Sequence, residues 1–439
     1  MVVLQTEEEA SQGLCRACPP GSPCNSLRCS ASNSTEQGPS HRLLKLASSA
    51  TRAGGSAALG GSSAAREASA EGEMGYHFET DDFHWTAQGI SHPRRRRQIL
   101  AKYPEIEALN GYDLYAGAYA IAVTLLNIFF CYKISQWQLS WPWVIFLTYC
   151  ISGTLNHVLF LSMHEASHCA LFPGRMLHEL YVVFSNLSMG VPAGMGFLRY
   201  HLDHHVYMGT DKLDPDIPSR LEAKLFRSWL GKLVFVLLLP FTYSLRPMIR
   251  NPKPIVPMEA FNWAAILLWD MYVYLYWGPK ALLYLVLGTF FSMSIHPLNG
   301  HLIAEHYQFP RGQGLQETWS SYGPENLITF CAGYHIEHHD FPRVPGYRLP
   351  TIRKIASEFY DLPHHKSWLG CVIEFICNPK VSPYSRVKRI CPRGGRVQPP
   401  HKPMLKEPEE LGSYWLGPTK DQAVEKEQTD ASQAEKKHA

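Results

Sequence analysis

Polar stretches occupy both ends of the chain, and six apolar runs lie between them: Leu114 to Tyr132, Trp141 to Met163, Leu180 to Leu198, Trp229 to Leu245, Ala260 to Trp277 and Ala281 to Ile295. The first run is about 19 residues, which at about 1.5 Å per helical residue is enough to cross the hydrocarbon of a bilayer. Arg94 to Arg97 and Lys102 precede it and assign that side to the cytosol. The second run brings the chain back, with His164 at its exit.

Histidine clusters recur at 201 and 335, and if they share the face of His164, parity limits the other runs. Leu180 to Leu198 is broken by Gly190, Pro192, Gly194 and Gly196 and is expected to lie in the interface rather than cross. Of the last three runs an even number can cross. Ala260 to Trp277 and Ala281 to Ile295 suit a tight hairpin around Gly278-Pro279, which leaves Trp229 to Leu245, interrupted by Lys232 and Pro240, along the membrane surface. The expected fold is an all-α integral membrane protein with about four transmembrane helices and a cytosolic helical cap.

The ends read differently. Residues 1–73, rich in Ser, Ala and Gly, are expected to be a disordered extension, 74–110 a cytosolic segment, 111–390 the membrane domain, and 391–439 a disordered tail. The extension carries Cys15, Cys18, Cys24 and Cys29, which lack a surrounding apolar pattern and read as incidental rather than as a zinc site. Its stretch His41 to Arg66 has a transit-peptide composition that Glu7 to Glu9 argue against. Lys436-Lys437 sits where a dilysine retrieval signal for the endoplasmic reticulum would stand. A net charge of +3 without a basic stripe gives no sign of nucleic-acid binding.

The chemistry lies in three clusters: His164-Glu165-Ala166-Ser167-His168, His201-Leu202-Asp203-His204-His205 and His335-Ile336-Glu337-His338-His339-Asp340. Histidines at i, i+3 and i+4 share a helix face, so each box is expected to gather its imidazoles at one point. Imidazole suits Fe, Zn, Cu and Ni, and a structural zinc takes only four ligands. Eight histidines with one or two more therefore fit two metals with open positions; two irons so held would activate O2. A further ligand is sought in His296, His301 and His306, with His306 first and His301 second, and Asn299 as the holder of a metal-bound water. Glu165, Asp203, Glu337 and Asp340 are placed to orient ligand rings, as are Asp211, Asp214 and Asp216, which read equally as a solvated loop. His364 and His365 read as surface residues. Trp269, Tyr272, Tyr274, Tyr276 and Trp277 could line a lipid tunnel, although an interfacial belt is their commoner role.

The spacing of the boxes among apolar runs resembles the membrane fatty-acid desaturase and hydroxylase superfamily. More narrowly, Gln98 to Ile106, Tyr200 to His205, Gly300 to Tyr307 and Gly333 to Pro342 resemble the sphingolipid delta-4 desaturase family. That resemblance implies a diiron centre on His164, His168, His201, His204, His205, His335, His338 and His339. It also implies electrons from NADH through cytochrome b5 and its reductase, O2 as co-substrate, and a membrane sphingolipid substrate, with a trans 4,5 double bond placed in dihydroceramide to give ceramide. C4-hydroxylation to phytoceramide is the neighbouring outcome. No His-Pro-Gly-Gly haem motif occurs, so the electron donor is expected to be separate. Two departures stand out: Cys169 follows the first box where relatives carry Asn, and Met74-Gly75, which looks like the relatives' myristoylated start, has Glu79 at the expected hydroxyl position. A metal transporter would hold its ligands near the membrane midplane, whereas these clusters follow the spans.

Overall fold

The computed structural model describes residues 81–389. The N-terminal cysteines, the transit-like stretch, Met74-Gly75 and Lys436-Lys437 lie outside the described residues. The principal helices are α1 (Ser91–Lys102), α2 (Leu114–Gln136), α3 (Trp141–Ser167), α4 (Arg175–Asn186), α5 (Gly194–Tyr207), α6 (Trp229–Arg250), α7 (Pro257–Tyr272), α8 (Pro279–Ser292), α9 (His335–Asp340) and α10 (Trp368–Cys377). Two short strands, β1 (His84–Thr86) and β2 (Val387–Arg389), pair in parallel and tie the two ends of the described chain together.

Asp113 caps α2 by accepting from Tyr115 N and Ala116 N, which satisfies donors that a helix start leaves unpaired. Asp113 N donates to Ala170 O at 2.9 Å, so the start of α2 lies at the level of the first histidine box. α3 carries a π-helical turn at Thr148–Gly153 where α8 comes closest. Gly288 of α8 is required there, because a Cβ on it would lie 1.9 Å from Ser152 Oγ. Deeper between the helices, Tyr284 Oη donates to Asn127 Oδ1 (3.0 Å) and Asn127 Nδ2 donates to Ser188 O (3.0 Å). Such buried polar contacts can join helices where lipid removes the hydrophobic drive to associate.

Four helical segments are long and apolar enough to cross a membrane by length and composition: Pro104–Gln136, Trp141–Ser167, Trp229–Arg250 and Pro279–Ala304. That set includes α6, expected at the surface, and omits α7, expected to cross. The contacts argue otherwise for these two helices. Near one end of α6, Lys232 Nζ donates to Asn378 O (2.7 Å) and Val381 O (2.9 Å), and near the other Arg246 pairs with Glu222 (2.8 Å) and donates to Asp216 O (3.3 Å). Asp216 is itself 3.5 Å from His204, so the C-terminal end of α6 is at the histidine level, while its middle, where Leu237 O accepts from Ser294 Oγ (3.1 Å), meets the segment that follows α8. α7 begins with Glu259 paired to Arg199 of α5 and runs through a π turn (Val273–Trp277) to Trp277, which packs 5.4 Å from Tyr132 near the far end of α2. Composition misleads here because α7 carries Glu259 and Asp270, whereas the charges of α6 sit near its ends.

Leu180 to Leu198 is not one helix: α4 stops at Asn186 and α5 starts at Gly194. Part of the basic block before α2 serves packing. Arg95 Nε donates to Asp340 Oδ2 at 2.7 Å, and the Arg96 guanidinium lies 5.2 Å over the Phe341 ring. Asp340 is fully buried at its carboxylate. Arg95→Ala is therefore expected to destabilise the fold by about 3 kcal/mol, because the buried Asp340 carboxylate loses its guanidinium partner and keeps only His92, read as a lowered thermal midpoint.

Candidate metal centre

The second and third histidine boxes are each split between two points, whereas the two histidines of the first, His164 and His168, stay together. His164, His168, His201, His205 and His338 present nitrogens that all lie within 4.8 Å of one another. His204, His306 and His339 form a second such group, which His335 joins through Nε2 atoms 2.9 Å from His306 and 3.0 Å from His339. In α5 the i, i+4 pair His201 and His205 faces the first point and His204 the second. In α9 the i, i+4 pair His335 and His339 faces the second and His338 the first. The two groups adjoin, with the His205 and His339 rings stacked 4.2 Å apart.

The separations suit a metal. His168 and His205 place Nε2 2.9 and 3.0 Å from His201 Nε2, and His204 places it 2.9 Å from His306 Nε2. Imidazoles at right angles about an ion at about 2.1 Å have nitrogens about 3 Å apart. Both ring nitrogens of buried His164 lack a hydrogen-bond partner. Burial, then neighbouring imidazoles, holds His168, His201, His306, His335, His338 and His339 well below the ordinary 6.5, so the neutral, ligating form prevails. Burial alone would also lower His204, but Asp216 and Asp214 outweigh it and raise it.

Those lowered values set a pH dependence. The unfolded chain takes up protons on these histidines near 6.5 while the folded chain does not, so metal-free protein is expected to lose stability as pH falls below 6.5. Thermal midpoints between pH 7.5 and 5.5 check the sign.

Outer partners orient several rings. His204 Nδ1 donates to Asp214 Oδ1 at 2.9 Å, and Asp214, 2% exposed, also accepts from Gly209 N at 2.7 Å. His306 Nδ1 donates to Glu317 O (3.2 Å), and His335 Nδ1 lies 3.3 Å from Glu305 Oε1. His92 of α1 bridges Asp340 Oδ1 (2.7 Å) and Thr318 Oγ1 (2.9 Å), with its ring 5.0 Å from that of His339. Glu305, Glu317, His92 and Arg95 were not legible as partners. The nearest sequence signals were Glu305 beside His306 and the acidic run 211–216 after the second box.

Several expected roles change. His301 joins neither group; its ring packs 4.7 Å from His157 and 5.5 Å from Trp368. His296 sits 3.3 Å from Thr154 Oγ1, also apart. Asn299 donates to Ser294 O at 2.6 Å, on the His301 side rather than at a ligand group. Asp203 pairs with Lys253, Glu337 accepts from Ser320 Oγ (2.7 Å) and Tyr322 Oη (2.8 Å), and Asp340 is held by His92 and Arg95. Glu165 Oε1 approaches His164 Nδ1 to 3.4 Å without a hydrogen bond, and Oε2 accepts from Gly346 N at 2.8 Å. These acids brace the boxes because their side chains leave the helix face that carries the rings. His365 is buried between Phe309 and Trp319, not at the surface, while His364 is exposed. Tyr272, Tyr274 and Tyr276 are 43, 53 and 74% exposed near the end of α7 remote from the histidines, as belt residues would be.

Comparison with known proteins places the chain among lipid desaturases. A family model described as fatty acid desaturase matches residues 135–369, and one described as sphingolipid Delta4-desaturase matches 79–115. Sphingolipid delta(4)-desaturase DES1 of Rattus norvegicus is 43% identical over 328 residues, covering 74% of this chain and 100% of the relative. The Drosophila melanogaster DES1 is 44% identical over 319 residues, covering 72% and 98%. Sphingolipid delta(4)-desaturase/C4-monooxygenase DES2 of Homo sapiens is 43% identical over 320 residues, again covering 72% and 98%.

Proposed function

The chain belongs to the sphingolipid delta(4)-desaturase family within the fatty acid desaturases, and from that premise we propose that it introduces the 4,5 double bond into the sphingoid chain of dihydroceramide, giving ceramide. The observation that carries the reading is the convergence of nine imidazoles on two adjoining points. His164, His168, His201, His205 and His338 would hold one iron, and His204, His306, His335 and His339 the other. Bound there, the irons would supply the O2 chemistry that removes hydrogen from an unactivated C–H bond.

The chain's own residues do the rest. Burial keeps most of these rings neutral, Asp214 and the Glu317 carbonyl hold His204 and His306 with Nδ1 protonated and Nε2 free to ligate, and the packed cap keeps water from the ligands. In balance, the lipid loses two hydrogens and one O2 becomes two waters, with two electrons and two protons supplied from outside. The donor in this reading is cytochrome b5, reduced by NADH. The boxes face the cytosol, and the membrane is that of the endoplasmic reticulum. The similarity to the DES2 protein, named as both desaturase and C4-monooxygenase, favours C4-hydroxylation as a second outcome at the same carbon.

Expression in cells lacking their own desaturase, followed by lipid mass spectrometry, tests this. Accumulation of 4,5-unsaturated ceramide is expected; only saturated dihydroceramide alongside abundant protein would refute the reading.

A further inference from the structure

Beneath the metal centre lies a second polar cluster that the metals do not use. His157 precedes His164 by seven residues on α3, so the two share a helix face about 10 Å apart along the axis. His157 and Asn299 are fully buried and His301 is 2% exposed. The His157 and His301 rings are 4.7 Å apart, and Asn299 stands on the turn Pro297–Gly300 that leads into His301. Each residue keeps one buried atom without a hydrogen-bond partner: His157 Nε2, His301 Nδ1 and Asn299 Oδ1.

The partners these residues do have define what is missing. His157 Nδ1 lies 2.8 Å from Ser292 O, a carbonyl that can only accept, so Nδ1 carries the proton and Nε2 is a bare acceptor. Asn299 Nδ2 donates to Ser294 O, which leaves Oδ1 as a second bare acceptor. Buried acceptors are rarely left unpaired, so the cluster calls for O–H or N–H donors from a molecule that enters it.

We propose that His157, Asn299 and His301 form the subsite for the hydroxyl and amide end of the lipid substrate, whose donors pair with His157 Nε2 and Asn299 Oδ1. The inference rests on the delta-4 reading, because the 4,5 bond begins one carbon beyond the hydroxyl-bearing C3 of a sphingoid chain. An enzyme acting there must hold polar atoms close to its metals, whereas one acting in mid-chain need not. The distance fits: a hydrogen bond of about 2.8 Å, two covalent bonds and a reactive contact of about 3–3.5 Å cover most of the 10 Å interval. Phe160, 5.8 Å from His301, and Phe197, 4.5 Å from Phe160 and stacked 5.4 Å from His201, give that interval an apolar wall.

The test compares N-acyl sphinganine with its 3-deoxy analogue on the purified full-length protein in nanodiscs. Wild type is expected to prefer the hydroxylated lipid by at least about tenfold in kcat/KM, since buried acceptors stay unpaired with the analogue. His157→Gln and Asn299→Leu are each expected to shrink that preference to about threefold or less while iron content stays at the wild-type level. No preference in wild type, which needs no variant to fold, overturns the proposal; so does full preference retained in both variants, or loss of iron in His157→Gln. If wild type makes no 4,5-unsaturated product from either lipid, the delta-4 reading fails on its own. Displacement of a fluorescent ceramide then carries the comparison, and equal affinity for the two lipids overturns the subsite as well.

Discussion

Replacing His306 with alanine is expected to cost the protein one of the two irons we propose it holds, and nearly all of its turnover. His306 Nε2 stands 2.9 Å from the Nε2 atoms of both His204 and His335, so it is the ring through which the two boxes meet in the second group. Without it that group falls from four imidazoles to three, and the alanine leaves a gap that water can enter. Loss of an outer partner alone costs roughly 10–100-fold in metal affinity, and loss of a ligand should exceed that. Turnover is expected to fall by at least about 10^3-fold, on the order of 4 kcal/mol in the barrier. Iron measured by plasma mass spectrometry on the same sample separates this from unfolding, since the five imidazoles of the first group remain. Two irons retained in His306→Ala would move the extra ligand elsewhere.

Asp214→Ala acts one layer out. The carboxylate fixes the His204 tautomer, raises the ring's basicity and is held by Gly209 N in return. Its removal lets His204 turn and leaves Nδ1–H without its buried acceptor, so iron affinity at the second group should fall by roughly 10–100-fold. Chelator titration should show one iron leaving early and the other at the wild-type concentration. Asp214→Asn is expected to fall between alanine and wild type, because its amide oxygen can still accept from His204 but carries no charge. Loss of both irons together would contradict the division into two groups.

The eight box histidines are legible in the sequence because i, i+3 and i+4 spacing is itself a statement about a helix face. Their allocation is not. Whether His204 shares a metal with His201 or with His335 depends on how α5 and α9 cross, and that crossing is set by contacts far along the chain, among them Arg95 and His92 with Asp340. His306 and His301 illustrate the same limit, since five residues of separation within one apolar stretch decide which ring reaches the metals and which turns toward His157. The acids within the boxes looked like ring partners by proximity in sequence. The ring-orienting carboxylates are instead Asp214, one of the three acids the sequence offered after the second box, and Glu305, which reaches His335 rather than its neighbour His306, because residues adjacent to a ligand on a helix project away from that ligand's ring. Four crossing helices follow from apolar length, but choosing between α6 and α7 needed the placement of Lys232 and Arg246 beside cap residues.

The most direct measurement of the central claim is iron per polypeptide in the purified full-length protein, with zinc counted in the same run. Two irons per chain, falling to one in His306→Ala, is the predicted result. One metal or fewer per chain, or zinc in place of iron in protein that makes 4,5-unsaturated lipid, would contradict a dimetal centre built on these nine histidines.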